Sequence, residues 1–312
     1  MKKNNLKILF LGDFCPSADL SKNFFLNPIF KVDHILVNLE GVLIFDREQA
    51  NFKFGKRLLI DANEFMKLIK PIKNKVIFTM TNNHSLDLGF IQYQKNVEFF
   101  TKYKIKCLTF KNPSINISGL KITSVGFTES KFDIYIRKFL KNPFKTDVLL
   151  IHDGFEGFSS WFLYDWLQAQ SLFKYANIII RSHSHEIGPV LKIKNKYFFN
   201  GIGDLNFTNM RITSKGRAIQ LNLSKKNIRL KYFDFLSTNY LSISNFINTF
   251  SEDIVMKRTL FNNNRFFMVV YFLKKYLIDN ISLSSIKAAR DNHKYSFWSR
   301  LKCNIVNKNW IN

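Results

Sequence analysis

The chain has 312 residues, of which 46% are hydrophobic, and this is enough to bury a sizeable core. Such a composition excludes an intrinsically disordered chain, because disordered chains are poor in apolar residues. The formal net charge of +24 suits an anionic partner, but the abundance of Lys, Asn, Ile and Phe, which have AT-rich codons, explains it equally well.

Short apolar runs alternate with helical patterns, which predicts an α/β fold. In chain order, the predicted elements are strands at Lys7–Leu11 and Ile35–Leu39, a helix at Ala62–Lys70, a strand at Val76–Met80, a helix at Phe90–Tyr103, strands at Leu120–Gly126 and Val148–Ile151, a helix at Trp161–Tyr175, and strands at Ile178–Ile180, Tyr197–Phe199, Ala218–Leu223 and Ile228–Phe233.

Strand patterns give way to helical ones near Thr238. We therefore predict a core domain over residues 1–237 and a basic, mostly helical extension over residues 238–312. Residues 257–312 carry eleven Lys and Arg against two Asp, so the extension is more basic than the rest.

The cysteines and the N-terminus predict a cytoplasmic protein, either free or peripheral at the inner face of the membrane. Cys15, Cys107 and Cys303 form no C-x-x-C pair, which favours a reducing compartment. The apolar run Ile8–Gly12 is too short for a signal peptide, and Asp13 interrupts it. No stretch approaches the roughly 20 apolar residues of a transmembrane helix.

Polar residues of the kind that bind metals follow five predicted strands at their carboxyl ends. They are Asp13 after Gly12, the segment Asn38-Leu39-Glu40, the segment Asn82-Asn83-His84, His152, and the segment His183-Ser184-His185. Ligands bind at the carboxyl ends of strands in open α/β sheets, so five such placements indicate one site.

Carboxylates, imidazoles and an amide without a thiolate indicate a site for a divalent metal ion other than a structural zinc site. In an extended segment His183 and His185 would point to one face, as two ligands of a cluster do. Two ions roughly 3.5–4 Å apart are the usual arrangement for phosphoester cleavage. The donor types leave Mn, Fe, Zn, Mg and Co open. Taken singly, each of these residues could instead be a turn residue or a solvated residue. Cys15, two residues after Asp13, could be an extra ligand, but a small buried hydrophobe is the favoured interpretation.

The order of these motifs resembles the capsule-synthesis CapA family, which is associated with poly-gamma-glutamate biosynthesis. The resemblance covers roughly residues 6–210 and includes the segment Tyr197–Phe207. It is carried by Gly12-Asp13, Asn38-Leu39-Glu40-Gly41, the run from Asn82 to Gly89, His152-x-Gly154-x-Glu156, and His183-x-His185.

That family is similar to the calcineurin-like metallophosphoesterases, which implies a four-layer α/β/β/α sandwich with two divalent metal ions. The resemblance implies that Asp13 and His185 bind one ion and that Glu40 takes the place of the bridging carboxylate. The other ion would be bound by Asn83, His152 and His183. His84 would be the general acid, and Asp87 would orient it.

Some positions depart from the family pattern. Arg181 stands where glycine is usual, Ser184 where proline is frequent, Asp204 where asparagine is usual, and Cys15 where phosphoesterases often have a histidine. Arg181 would either bind an anionic substrate or weaken metal binding, and Glu156 is a further candidate for a supporting or substrate contact.

These observations leave two functions open. One is a metal-dependent hydrolase acting on a phosphorylated intermediate of surface-polymer synthesis. The other is a non-catalytic accessory subunit whose basic extension docks on a polymer synthase, an acidic polymer or a membrane surface. In the extension, the apolar run Phe266–Leu273 would be either a buried helix or an interfacial membrane helix. Nucleic acid is disfavoured as a partner, because no nucleic-acid motif occurs.

Overall fold

A computed structural model describes residues 5–16, 20, 24–46, 57–126, 145–153, 172–207, 213–224, 228–238 and 244–247. Its strands are, in chain order, β1 (Asn5–Phe14), β2 (His34–Leu39), β3 (Val42–Ile44), β4 (Leu59–Asp61), β5 (Val76–Thr79), β6 (Lys106–Leu108), β7 (Ser114–Ile117), β8 (Leu120–Gly126), β9 (Val148–His152), β10 (Ile178–Ser182), β11 (Val190–Ile193), β12 (Lys196–Phe199), β13 (Asp204–Asn206), β14 (Thr213–Ser224), β15 (Ile228–Thr238) and β16 (Ser244–Ile247). The two α-helices are α1 (Ala62–Ile69) and α2 (Gly89–Lys102).

The first large sheet has the strand order β16-β15-β14-β1-β2-β5-β6, and the short strand β13 also pairs with β1. The pairs β1–β2, β2–β5, β5–β6 and β1–β13 are parallel. The carboxyl ends of these strands therefore lie along one edge, where Asp13 is in register with both Asn38 and Asp204.

The second large sheet has the strand order β11-β12-β10-β9-β8-β7. Its four central strands are parallel, and antiparallel strands lie at both edges. His152 is in register with Ser182 on one side and with Gly126 on the other. The second sheet thus has its own row of strand ends beside those of the first.

The alternation of side chains along each strand builds the layers. In β1, Ile8 and Phe10 belong to a core cluster that also contains residues such as Val148 and Ile180 of the second sheet. The intervening Leu9 belongs to a different cluster, which includes the helices. The two sheets therefore pack face to face, and α1 and α2 cover the outer face of the first sheet.

The helical layer is held by phenylalanine packing and by one N-cap. Asp61 caps α1 by accepting hydrogen bonds from the backbone N–H groups of Asn63 and Glu64, both at 2.9 Å. Phe65 of α1 lies 5.3 Å from Phe78 of β5, ring centre to ring centre. Such contacts explain how the many phenylalanines of this chain are used.

A third core cluster covers the outer face of the second sheet. Leu149 and Ile179 of that sheet pack there with Leu172 and Phe173. Most of the predicted helix Trp161–Tyr175 lies outside the described residues. The described part of the chain is thus a mixed α/β structure with a helical layer and two packed sheets, and the fourth layer stays a prediction.

β15 ends at Thr238, where the core domain is predicted to end, and the domain boundary itself stays a prediction. The first described residues beyond it form β16, which extends the first sheet rather than beginning a helix. The rest of the predicted extension, including Phe266–Leu273, lies outside the described residues. None of the helices in the described ranges has the length and apolar character needed to cross a bilayer.

Candidate metal centre

The structure brings together eight side chains of the kind that bind or support metals. All of them are buried, and they come from the strand ends of both sheets: Asp13, Glu40, Asn83, His84, His152, His183, His185 and Asp204. The first seven were expected from the sequence, and Asp204 was not assigned a role. The tertiary structure therefore places the predicted strand ends beside one another.

Glu40 lies at the centre of this group. Its Oε1 atom is 3.6 Å from Nε2 of His152 and 3.9 Å from Nε2 of both His84 and His185. Three imidazoles from different segments thus each point their Nε2 atom toward one carboxylate oxygen. Glu40 is itself fully buried, and an anion in that position is stable only beside positive charge.

Both carboxylate oxygens of Asp13 accept hydrogen bonds from the protein. Oδ1 accepts a 2.7 Å hydrogen bond from Nδ2 of Asn38, and Oδ2 accepts a 2.9 Å bond from the backbone N–H of His183. The first bond joins neighbouring strands, and the second joins the two sheets. The position of Asp13 is therefore set before any ligand binds.

Asn38 holds the two sheets together at the site. Besides Asp13, its Nδ2 lies 3.0 Å from Nδ1 of His152. Its Oδ1 accepts hydrogen bonds from Thr79 Oγ1 at 2.9 Å and from Asn82 Nδ2 at 3.1 Å. A fully bonded buried amide of this kind rigidifies its neighbours. The sequence placed Asn38 in a motif without showing this structural role.

His183 and His185 are not in an extended segment, contrary to the expectation from their spacing. Both have positive φ angles, +96° and +55°, which side-chain-bearing residues rarely adopt. Their ring centres are 6.3 Å apart. The tight turn therefore sends the two imidazoles to different parts of the site.

Two groups of donors result from this arrangement. The first donor group is Asp13, His185 and Asp204, and the second is Glu40, His152 and His183. Within each group, one potential ligand atom of every residue lies within 4.8 Å of the others. Asn83 adjoins the second group, because its Oδ1 is 2.6 Å from Nε2 of His152.

The electrostatics of the site favour neutral imidazoles. Burial lowers the pKa of His152 well below its usual value, and the nearby His183, His185 and His84 lower it further. Burial, followed by the charges of His185, His84 and Arg181, lowers the pKa of His183 to about 3. Only neutral imidazole can bind a metal, so the lowered pKa values leave both rings in the charge state that a metal ligand needs at neutral pH. The donor set fits divalent cations that accept oxygen and nitrogen ligands.

His84 lies at the rim of the two groups and has its own carboxylate partner. Oδ2 of Asp87 is 2.8 Å from Nδ1 of His84 and also accepts a 2.9 Å hydrogen bond from the backbone N–H of Leu58. This pair leaves Nε2 of His84 facing Glu40. The geometry is that of an imidazole held in a fixed tautomer by a carboxylate.

Arg181 points away from the donor groups. Its Nη1 donates a 2.7 Å hydrogen bond to Asn200 Oδ1, and its Nε lies 3.3 Å from Asp153 Oδ1. The guanidinium also stacks over Phe198 at 5.2 Å from the ring centre. These contacts link the guanidinium to protein side chains, so they do not favour the predicted contact between Arg181 and a substrate. That contact stays a prediction. Glu156 lies outside the described residues.

Cys15 belongs to neither donor group. It is fully buried in the apolar cluster on the helical side of the first sheet, as expected for a small hydrophobe.

No family model and no curated protein matches this chain. Among solved structures, it is weakly similar to a Thermotoga maritima protein, at 14% identity and TM-score 0.34, over 75% of this chain and 99% of that one. Vps29 from Chaetomium thermophilum has 11% identity and TM-score 0.30, over 75% of this chain and 97% of that one. An uncharacterized Streptococcus pneumoniae protein, described as a predicted phosphoesterase, has 11% identity and TM-score 0.30, over 77% and 92%. Scores this low do not establish a shared fold, so the nature of the site rests on its own residues.

Proposed function

We propose that this protein is a metal-dependent phosphoesterase-type hydrolase that binds two divalent ions at the joined strand ends of its sheets. One observation carries the proposal: two groups of carboxylate and imidazole donors lie side by side around the buried Glu40. Divalent ions bound there would supply a water of lowered pKa and would stabilise charge on the phosphoryl oxygens.

The side chains of the protein would deliver the proton and hold the ligands in position. Asp87 holds the Nδ1–H group of His84, which leaves Nε2 for the substrate. When the ring carries a proton on both nitrogens, Nε2 would deliver its proton to the leaving group, and the ring would be left as the neutral Nδ1–H tautomer. Asn38 and the backbone N–H of His183 hold Asp13 in place, which keeps the ligands in a fixed arrangement. Burial of the whole group excludes bulk water and strengthens these interactions.

The substrate class is inferred from the sequence motifs. The five motifs shared in order with the CapA family suggest a phosphorylated intermediate of surface-polymer synthesis. We extend the proposal to that class on the strength of the motifs alone. The geometry of the site supports phosphoester hydrolysis in general.

The test is hydrolysis of generic phosphomonoesters and phosphodiesters by the purified full chain, with Mn²⁺ added or with a chelator. We expect metal-dependent turnover that His84→Asn reduces about 10²–10⁴-fold while bound metal is retained. Glu40→Gln should lose both metal and activity. His34→Asn is the matched control, because His34 is a half-buried histidine that contributes to neither donor group.

Two results would contradict the proposal. One is wild-type protein that binds no divalent ion at micromolar concentration. The other is turnover that persists unchanged in both His84→Asn and Glu40→Gln, which would assign the activity to a different site or to a contaminant.

A further inference from the structure

We propose that Asp204, within the first donor group, is a positioning residue and not itself a metal ligand. It holds His185 so that the Nε2 atom of His185 binds metal, which leaves Asp13 and His185, beside Glu40, as the ligands on that side of the site. The inference rests on the proposed function in one respect, the presence of a metal beside Glu40. It concerns a residue to which neither the sequence motifs nor the comparisons assign a role.

The distances distinguish a hydrogen bond from shared coordination. Oδ1 of Asp204 is 2.7 Å from Nδ1 of His185. Two ligands of one ion, each at about 2.1 Å and at right angles, would lie roughly 3.0 Å apart. The observed contact is shorter and has the length of a charge-assisted hydrogen bond. Asp13 Oδ2 is farther from the same nitrogen, at 3.5 Å, so Asp204 is the partner of Nδ1.

This hydrogen bond decides which nitrogen of His185 can bind metal. A carboxylate only accepts, so the proton of the neutral ring lies on Nδ1 and the lone pair on Nε2. Nε2 faces Oε1 of Glu40 at 3.9 Å, a separation that two ligands of one ion can have. The ring of Phe207 lies 4.5 Å from the His185 ring, centre to centre, and restricts its rotation further.

The fold holds Asp204 in place through the parallel pairing of β13 with β1. Asp204 is fully buried and lies in register with Asp13. Two glycines allow this close approach. A Cβ atom on Gly12 would lie 1.8 Å from the carbonyl oxygen of Gly203, and Gly203 itself has a φ of +61°. The carboxylate is thereby carried on a rigid strand, as a positioning group requires.

The experiment combines metal binding with the tautomer of His185. Mn²⁺ binding to the full chain is measured by calorimetry for wild type, Asp204→Asn and Asp204→Ala. Asp153→Asn is the matched control, because Asp153 is another buried aspartate and its carboxylate contacts Arg181 instead. In parallel, ¹⁵N NMR of histidine-labelled protein reports which nitrogen of His185 carries the proton.

We expect Asp204→Ala to weaken one of the two Mn²⁺ sites about 10–100-fold and to leave the other unchanged. Asp204→Asn retains an acceptor oxygen and should lose less. Wild type and Asp153→Asn should show the Nδ1–H tautomer, and Asp204→Ala should not. Wild-type Mn²⁺ affinities together with an unchanged tautomer in Asp204→Ala would overturn the proposal.

The tautomer measurement separates this inference from the proposed function. If wild type bound no metal, the proposed function would fail, whereas a shift of the His185 tautomer in Asp204→Ala would still support the positioning role. If wild type bound two ions and Asp204→Ala changed neither measurement, only the role of Asp204 would fail.

Discussion

Acidification should destabilise the metal-free protein through His152 and His183. An unfolded histidine has a pKa of about 6.5. In the folded chain burial lowers both pKa values, that of His183 to about 3. Below pH 6.5 the unfolded chain therefore binds protons that the folded chain does not. The contribution to stability is complete above pH 6.5 and is lost as the pH falls toward the folded pKa.

The magnitude follows from these values. Between pH 7 and pH 5, a histidine whose pKa falls from about 6.5 to about 3 on folding lowers the free energy of unfolding by about 2 kcal/mol. The pKa of His152 shifts in the same direction and adds to this loss. The contribution of His183 alone is already an appreciable part of the 5–15 kcal/mol typical of a folded domain.

The assay is urea unfolding followed by circular dichroism at pH 7 and pH 5, with a chelator present throughout. The loss of stability between the two pH values should be about 2 kcal/mol smaller in His183→Asn than in wild type. In His34→Asn the loss should stay closer to that of wild type, because His34 is only half-buried. An equal loss in wild type and His183→Asn would refute the reasoning. If that variant does not fold, NMR titration of wild-type His183 serves instead, and protonation of its ring above pH 5 would refute it.

Two further predictions concern packing, one beside the site and one in the helical layer. Gly126→Ala should lower the free energy of unfolding by at least about 1–3 kcal/mol and weaken Mn²⁺ binding. The reason is that a Cβ atom at this position would lie 1.5 Å from the carbonyl oxygen of Thr81, next to Asn82. Stability and Mn²⁺ affinity equal to those of wild type would contradict this close approach. Phe78→Ala should cost about 3–5 kcal/mol in urea unfolding, since Phe78 is fully buried between the helices and the first sheet. Ile91→Ala, at a side chain that is 71% exposed, should change stability by less than about 0.5 kcal/mol, and an equal effect of the two substitutions would contradict the layer assignment.

Local patterns predicted every described strand of five or more residues, because buried strands read as short apolar runs bounded by polar residues. They missed seven strands of three or four residues, namely β3, β4, β6, β7, β11, β13 and β16. β8 has the predicted bounds, and β2 begins one residue earlier than predicted. β14 and β15 are longer than their apolar runs indicated, since pairing along their whole length extends both strands beyond the apolar residues. The pattern of hydrophobicity therefore does not predict how far two partly exposed strands stay paired by hydrogen bonds.

The direction of Arg181 could have been inferred from the sequence. Ile180 packs between the sheets, and side chains alternate along a strand, so its neighbour must point to the opposite face. Proximity along the chain to His183 is therefore a poor guide to proximity in space. The same alternation explains why Ser182, one residue later, returns to the site and lies 3.0 Å from His152.

Strand patterns that end at Asp13, Glu40, Asn83 and His152 predict a set of candidate metal-binding side chains, because parallel strands bring their carboxyl ends to one edge. The division of these residues into two donor groups, and the place of Asp204 beside them, depend on contacts between distant segments. β13 has three residues and too little periodicity to be recognised, and its place depends on register with β1, a contact between segments about 190 residues apart. Local sequence specifies which side chains a strand carries, whereas long-range pairing specifies which of them meet.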